Sequence, residues 1–318
     1  MLISKKNKKQ ALIFGVSGQD GSILSSLLLK HDYEVIGITR NIRDFYNHKK
    51  LFITKKIKLI ECDYSYESIE SIVKKYKPVK IFNLSGESSV ANSFQNIYQS
   101  FNSNVNITLS ILECVKKFSP SSRVLLACSS ECFRPSNGIV DELSALDPKS
   151  PYAASKACNY LMAKQYRENH NLFISNAIMF NHESSLRPQN FVISKVLNYV
   201  KKGDYGRKLS LGNIEISRDW GFAPEYCNAM NLILESNLPD DFCVCTGKSF
   251  KLMEMIDFIF SEKNLNWEEF VSTSEEFYRP SEHESICGNP EKIIKKLNWK
   301  PKVYGLSLVK KLYNEELI

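Results

Sequence analysis

The first feature missing from this 318-residue sequence is a long apolar segment. No apolar run approaches the ~20 residues that a membrane-spanning helix needs, so we predict no contact with a membrane. The N-terminus is basic and leads into a predicted strand, without the apolar region and cleavage site of a signal peptide. We therefore expect a cytoplasmic protein.

The sequence also lacks a cysteine framework and a metal motif. Its nine cysteines are an odd number, they include no Cys-x-x-Cys pair, and the five histidines do not have metal-ligand spacing. Free thiols in a reducing compartment are the expected state. The sequence therefore predicts neither structural disulfides nor a metal centre.

Strong charge of one sign is missing as well. The formal net charge is +7, and apart from one cluster at residues 5–9 the basic residues are spread along the chain. Such a cluster is typical of a solvated tail, so we expect no nucleic-acid partner. A mildly positive protein suits an anionic small molecule such as a nucleotide sugar.

Up to about residue 180, short apolar segments alternate regularly with helix-like segments. This rhythm predicts an α/β fold with a doubly wound parallel sheet. Beyond that point the rhythm breaks, which indicates a smaller C-terminal α/β lobe. We predict domains at residues 1–178 and 179–318, with some later segments returning to the first domain. The predicted strands cover residues 11–14, 34–39, 57–63, 80–84, 123–128 and 173–180, and the main predicted helices cover residues 22–29, 68–76, 104–118, 151–169, 190–201 and 252–263.

Three glycines lie between the first predicted strand and the first predicted helix. Gly15 permits a tight turn, Gly18 lets the backbone approach a pyrophosphate, and Gly21 lets the helix pack closely on the strand. The free N–H groups at the helix N-terminus attract phosphate. This arrangement predicts a dinucleotide cofactor on a Rossmann-type sheet.

Tyr152 and Lys156 lie four residues apart on a predicted helix, so both project from one face. A lysine ammonium near a phenol favours the phenolate and lowers the pKa of the tyrosine. The tyrosine could then act as a base towards a sugar hydroxyl. Following a glycine turn, this pair predicts redox chemistry rather than an ordinary surface helix.

Ser129, Ser130 and Glu131 follow the fifth predicted strand, at the edge where an open parallel sheet binds ligands. A serine hydroxyl there can hydrogen-bond the oxygen being oxidised. Removing a proton from the carbon beside a new ketone requires a second base, whereas simple hydride transfer does not. Glu131 therefore favours a dehydratase over a reductase or epimerase, with a turn-capping role as the alternative.

The end of the second predicted strand indicates which cofactor is bound. An acidic residue there would bind the ribose hydroxyls of NAD, but this chain has Arg40 and Asn41, followed by Arg43. A cation at this point suits the 2′-phosphate of NADP. Asp63, after the third strand, could meet the adenine amino group or form a turn, and the sequence leaves both open.

With these motifs the chain resembles the extended short-chain dehydrogenases/reductases and, among them, the GDP-mannose 4,6-dehydratase family. The resemblance covers nearly the whole chain, from Ala11 to about Pro301. The matching motifs are residues 15–22, 180–184, 189–192, 211–213, 218–221, 279–282, 288–290 and 297–301.

The resemblance implies an enzyme that uses NADP to convert a GDP-sugar into its 4-keto-6-deoxy form, commonly as a homo-oligomer. It implies that Tyr152 takes the C4 proton, Lys156 assists, Ser129 binds the C4 oxygen and Glu131 takes the C5 proton. The implied cofactor-binding residues are Gly15, Ser17, Gly18, Gln19, Asp20, Gly21, Arg40, Asp63, Leu84, Tyr152, Lys156 and His182. The implied substrate-binding residues are Asn181, Asn190, Lys195, Arg218, Arg279 and Glu282.

The chain departs from the family pattern beside these residues. Residues 132–134 read Cys-Phe-Arg where the family usually has Leu-Tyr-Gly, and residues 86–89 read Gly-Glu-Ser-Ser for Ala-Gln-Ser-His. The loop at residues 185–188 also differs. A related GDP-sugar such as a GDP-heptose is therefore an alternative substrate. A 4-keto reductase, a 4-epimerase and a non-catalytic NADP-binding protein are the alternative functions.

Overall fold

The computed structural model describes residues 8–43, 46–278 and 282–316. In chain order the strands are β1 (Gln10–Phe14), β2 (Glu34–Thr39), β3 (Lys58–Glu61), β4 (Lys80–Asn83), β5 (Arg123–Ser129), β6 (Ile139–Val140), β7 (Ile174–Met179), β8 (Asn181–Glu183), β9 (Leu209–Leu211), β10 (Ser217–Arg218), β11 (Trp220–Phe222), β12 (Phe242–Val244), β13 (Phe250–Lys251), β14 (Val271–Thr273) and β15 (Ser285–Gly288). The helices are α1 (Gln19–Lys30), α2 (Tyr46–Lys50), α3 (Tyr66–Tyr76), α4 (Val90–Gln95), α5 (Ile97–Phe118), α6 (Pro151–His170), α7 (Val192–Lys202), α8 (Ala223–Ile233), α9 (Leu252–Ser261), α10 (Trp267–Phe270), α11 (Glu291–Leu297) and α12 (Gly305–Tyr313), and 3₁₀ turns cover Ser130–Cys132 and Glu275–Phe277.

The large sheet has seven strands in the order β12-β7-β5-β4-β1-β2-β3, and all neighbouring pairs are parallel. Its central strands are aliphatic runs buried on both faces, as expected for a parallel sheet covered by helices. Strand β2 has the predicted limits, and the other predicted strands agree within about three residues.

Helices cover both faces of this sheet. One apolar core includes Ile23 and Leu28 of α1 with Ala229 of α8, and another includes Ile69 of α3 with Ile111 of α5. Ser150 begins α6 by accepting a hydrogen bond from the backbone of Ala153, and Pro151 occupies the first turn. The predicted doubly wound α/β fold is confirmed.

The C-terminal lobe is built from shorter strands. A four-stranded sheet has the order β13-β10-β15-β6, and β11 pairs with β8 while β14 pairs with β9. Its own core gathers apolar residues of α7, α9 and α12, including Val196, Ile256 and Leu308. Strand β12 instead joins the large sheet beside β7, and α8 packs on α1. The boundary at residue 178 stays a prediction.

No helix in the described part of the chain is long and apolar enough to cross a membrane.

Candidate active site

A cavity of about 660 Å³ lies at the carboxyl ends of β4 and β5, between the large sheet and the C-terminal lobe. This is the edge at which open α/β sheets bind ligands. Among the predicted site residues, its lining includes Asp20, Leu84, Ser129, Glu131, Tyr152, Lys156, Asn181, His182, Asn190, Lys195 and Glu282.

The glycine turn has the geometry that its sequence predicts. Gly15 has a φ of +80°, and a Cβ there would lie 2.6 Å from the carbonyl oxygen of Leu84. A Cβ on Gly21 would lie 2.4 Å from the Gly15 oxygen, so both positions need glycine. Gly18 is exposed, and a Cβ there would meet nothing closer than 3.4 Å. The turn therefore leaves open space in front of the α1 N-terminus, as a bound phosphate requires.

Gln19 and Asp20, predicted to bind the cofactor, use their side chains to tie α1 to the C-terminal lobe. Gln19 Oε1 accepts a hydrogen bond from Ser184, and Asp20 Oδ2 lies 2.9 Å from His182 Nε2. His182 Nδ1 lies 2.6 Å from the Phe180 carbonyl, so both ring nitrogens face acceptors, an arrangement that favours the protonated ring.

Electrostatics support this ion pair. Burial by itself lowers the pKa of His182, but the Asp20 carboxylate raises it above its ordinary value. Burial likewise raises the pKa of Asp20, but the charge and hydrogen bond of His182 bring it below its ordinary value. The predicted cofactor residues His182 and Asp20 are thus partners of each other. The turn's remaining predicted residue, Ser17, accepts a hydrogen bond from Asn47 at its carbonyl.

The predicted catalytic side chains converge from β5 and α6. Ser129 ends β5 and accepts a hydrogen bond from the Glu131 backbone in the following 3₁₀ turn. Tyr152 lies in the first turn of α6, where its N–H donates to Ser93. Its phenol and the Ser129 side chain line the same cavity. Glu131 lines the same cavity. A hydroxyl, a phenol and a carboxylate therefore face one space.

The Lys156 ammonium is held by the backbone of β5. Its Nζ donates to the carbonyl of Ala127 at 2.9 Å and lies 6.0 Å from the Tyr152 ring centroid. Burial raises the pKa of Tyr152, and the Ser129 hydrogen bond offsets this only in part. Burial lowers the pKa of Lys156. In the protein alone, exclusion of water therefore outweighs the predicted lowering of the phenol pKa.

The residues predicted to read the adenosine half lie at the ends of β2 and β3. Arg40 is exposed directly after β2. Asp63 Oδ1 accepts hydrogen bonds from the backbone and hydroxyl of Ser65, which also caps α3. Asp63 thus forms the turn that the sequence left open, and its contact with adenine stays a prediction.

Four predicted substrate residues, Asn181, Asn190, Lys195 and Glu282, line the cavity. Arg218 does not reach it: only 3% of the residue is exposed, and its guanidinium donates to the carbonyls of Ser217 and His283 and lies 3.2 Å from Glu282. The contact of Arg218 with a diphosphate stays a prediction. Arg279 lies outside the described residues.

Sequence reasoning missed Arg187 and Glu183. Arg187 lines the cavity, its guanidinium stacks 3.6 Å from the centre of the Phe191 ring, and its Nε lies 3.3 Å from the Glu183 carboxylate. Burial raises the pKa of Glu183, partly offset by Arg187. The signal was a cation in the loop before Asn190, which had been considered only as a departure from a family pattern. Within the described ranges, no cluster of three or more His, Cys, Asp or Glu could hold a metal.

Comparisons with known proteins bear on this site. A sequence model of the family "GDP-mannose 4,6 dehydratase" matches residues 12–312. GDP-mannose 4,6 dehydratase 1 of Arabidopsis thaliana is 36% identical, over 98% of this chain and 91% of that protein. The Homo sapiens GDP-mannose 4,6 dehydratase is 33% identical, over 98% and 92% respectively.

Solved structures share the fold. DesIV, a dTDP-glucose 4,6-dehydratase from Streptomyces venezuelae with NAD and TYD bound, has a TM-score of 0.85 and 21% identity, over 96% of this chain and 97% of that one. A UDP-glucuronic acid 4-epimerase from Bacillus cereus, in complex with UDP-glucuronic acid and NAD, has a TM-score of 0.85 and 16% identity, over 96% and 98%. The fold is thus common to different reactions, whereas the sequence match covers nearly the whole chain, and the chain belongs to the GDP-mannose 4,6-dehydratase family.

Proposed function

We propose that this enzyme converts GDP-mannose into GDP-4-keto-6-deoxymannose, in the biosynthesis of nucleotide sugars. The observation that carries the proposal is the placement of Glu131 in one cavity with Ser129, Tyr152 and Lys156. A reductase or epimerase needs the hydroxyl, the phenol and the lysine, but it needs no base for C5. The names of the curated relatives agree with this activity.

The side chains divide the reaction between them. Tyr152 accepts the proton of the C4 hydroxyl as C4 is oxidised, and Ser129 hydrogen-bonds the C4 oxygen. Glu131 removes the C5 proton of the 4-keto sugar and gives a proton to the departing C6 hydroxyl, which leaves as water. A nicotinamide bound before α1 would store the hydride that leaves C4 until it returns to C6. C5 then regains a proton, which balances the one that Tyr152 accepted, so no cofactor is consumed.

NADP is the cofactor we propose. The open space before Gly18 and the free N–H groups of the first turn of α1 suit its pyrophosphate. Arg40, exposed after β2 in place of an acid, suits its 2′-phosphate. The neighbour structures whose titles name NAD support a nicotinamide cofactor in general.

We also propose a homo-oligomer, in the cytoplasm. Helices α5 and α6 pack together and expose apolar side chains that a second copy would cover. These exposed residues are Ile97, Tyr98, Phe101, Leu109 and Leu161.

The test is mass spectrometry of GDP-mannose incubated with the purified protein and a trace of NADP⁺. We expect the sugar nucleotide to lose one water without net formation of NADPH. Net NADPH would indicate a simple dehydrogenase, and a changed C4 configuration at unchanged mass would indicate an epimerase. Dehydration of a GDP-heptose but not of GDP-mannose would identify the alternative substrate. The differences from the family pattern at residues 86–89 and 132–134 favour that alternative.

A further inference from the structure

Two cysteine thiols bracket the proposed catalytic residues. Cys128 precedes Ser129 at the end of β5, and Cys132 ends the 3₁₀ turn that contains Glu131. Their sulfur atoms lie 3.9 Å apart in the protein interior. A disulfide has a length of ~2.05 Å, so the two sulfurs need to approach by roughly 2 Å for a bond to form.

The surroundings give the two thiols different roles. Cys128 lines the cavity, so a small oxidant that enters the cavity meets it first. Cys132 donates its S–H to the Ala153 carbonyl at 3.3 Å, and burial raises the pKa of this thiol. Cys128 is thus placed to react first and Cys132 to react second.

We propose that Cys128 and Cys132 are a modification site at which peroxide forms a reversible disulfide that stops catalysis. The Cys128 sulfur attacks one peroxide oxygen; an S–O bond forms, the O–O bond breaks, and hydroxide leaves and becomes water. The Cys132 sulfur then attacks Cys128; the S–S bond forms, the S–O bond breaks, and a second water leaves. Two thiols are oxidised by two electrons, and the peroxide is reduced to two waters.

The effect on catalysis rests on the proposed function. Drawing the sulfurs together moves the end of β5 against the 3₁₀ turn. Ser129, whose hydroxyl accepts a hydrogen bond from the Glu131 backbone, lies between the two cysteines in the sequence. A shift of ~1 Å at a reacting group can lower a rate about 100-fold. We therefore expect the oxidised protein to lose activity by about this factor.

The experiment compares the full-length protein, reduced or treated with hydrogen peroxide, by peptide mapping and by activity. Trypsin releases residues 124–149, which contain Cys128 and Cys132 and no other cysteine. We expect oxidation to lower the mass of this peptide by two hydrogen atoms, and its halves to stay linked after cleavage at Glu131. Activity should fall with the same time course and return with dithiothreitol.

Cys132→Ser keeps a donor to Ala153, and it should remain active and resist peroxide. Cys114→Ser, which changes another buried cysteine on α5, is the matched control and should remain sensitive. If the two halves of the peptide are not linked after oxidation of the folded protein, the proposed disulfide does not form. If they are linked and the protein keeps full activity, the disulfide does not stop catalysis. If the reduced protein acts on no GDP-sugar, the proposed function fails, and the peptide map still decides the cysteine pair.

Discussion

The edge of the large sheet and the C-terminal lobe contribute to one cavity by different physical means. At the sheet edge, Ser129 and Tyr152 are held by a seven-residue strand and a 20-residue helix with an apolar core beneath them. In the lobe, Asn181 lies on a three-residue strand and Asn190 on a loop. The reacting groups therefore lie on rigid elements, whereas the proposed substrate contacts lie where sequence change is more easily tolerated.

The lobe has one compensating feature, the buried carboxylate of Asp219. It accepts hydrogen bonds from the backbone N–H groups of Thr246, Gly247 and Gly288 and from the Thr246 hydroxyl. One side chain thus joins the ends of β10 and β15 in the lobe to the end of β12 in the large sheet, so buried polar contacts add to the apolar core of the lobe.

The comparison predicts that sheet-edge variants lose rate, and Tyr152→Phe should show the largest effect. Removing the phenol hydroxyl removes the proposed proton acceptor, so kcat should fall about 10³-fold to 10⁴-fold with little change in KM. Steady-state dehydration measures this. Tyr160→Phe, on the same helix with its ring against Phe133, is the control and should keep full activity. A Tyr152→Phe enzyme with near-normal kcat would remove Tyr152 from the reaction.

Glu131→Gln should separate the two halves of the reaction. C4 oxidation uses Tyr152 as its base and does not use Glu131, so NADPH should still appear in a single turnover, while loss of water falls about 10²-fold to 10³-fold. Absorbance and mass spectrometry follow the two steps. Glu87→Gln, a second carboxylate lining the cavity, keeps the oxygen that accepts the Ser88 and Ser89 N–H groups and serves as control. Dehydration at the wild-type rate would leave Glu131 only a turn-capping role.

The same contrast explains how much could be predicted. The large sheet was predictable because short aliphatic segments alternate with segments whose apolar residues have helical spacing. In addition, glycines occur at positions where a Cβ would collide with the backbone. Strands β10 and β13 have two residues each, too few to show a periodicity. Later segments are predicted to return to the first domain, but the local pattern does not show that β12 pairs with β7, because β7 lies more than 60 residues earlier in the chain.

Side-chain direction was the second limit. The chemistry of a guanidinium does not predict that Arg218 donates to the carbonyls of Ser217 and His283. Nor does the motif around Asp20, which lines the cavity, predict its pairing with His182, 162 residues away. Spacing along the chain identifies which residues are chemically suited to a site. Their partners from distant parts of the chain are known only once the lobe has packed.

Asp20→Asn tests the ion pair that joins the two regions. Breaking a buried pair costs about 3 kcal/mol, so the free energy of unfolding should fall by this amount near pH 6. The contribution is full between about pH 4 and about pH 6.5, and it declines as pH rises through the raised pKa of His182 or falls through the lowered pKa of Asp20. Urea unfolding at about pH 6 and about pH 9 measures the difference in unfolding free energy between the wild type and the variant, and this difference should be smaller at the higher pH.

Glu291→Gln removes an exposed pair with Lys295 and should change the stability little at either pH. If the difference in unfolding free energy between the wild type and Asp20→Asn stays constant or increases at high pH, a charged His182 would be contradicted.

Lys195→Met tests the lobe's side of the comparison. Lys195 lines the cavity and donates to the Ser210 carbonyl at 2.7 Å, and burial lowers its pKa. Loss of a charged contact with the substrate should raise KM about 30-fold and leave kcat within a few-fold. Lys201→Met, on the same helix and paired with Glu315 at the surface, should leave both constants unchanged. If kcat for Lys195→Met falls as much as for Tyr152→Phe, then the lobe contributes to the rate of the reaction and not only to substrate binding.

Arg40→Ala should have the smallest effect, because the side chain is exposed and acts on one end of the cofactor. Water screens its charge, so the Kd for NADP should rise about ten-fold, with the Kd for NAD unchanged because NAD lacks the 2′-phosphate. Fluorescence titration of both cofactors gives the two constants, and Arg207→Ala, an exposed arginine of the lobe, is the matched control. Equal weakening of both cofactors would mean that Arg40 supports the turn after β2 rather than reading the phosphate. If only NADP binding weakens, the difference between the sheet edge and the lobe also applies to cofactor choice, since the residue directly after strand β2 would then select NADP by its charge.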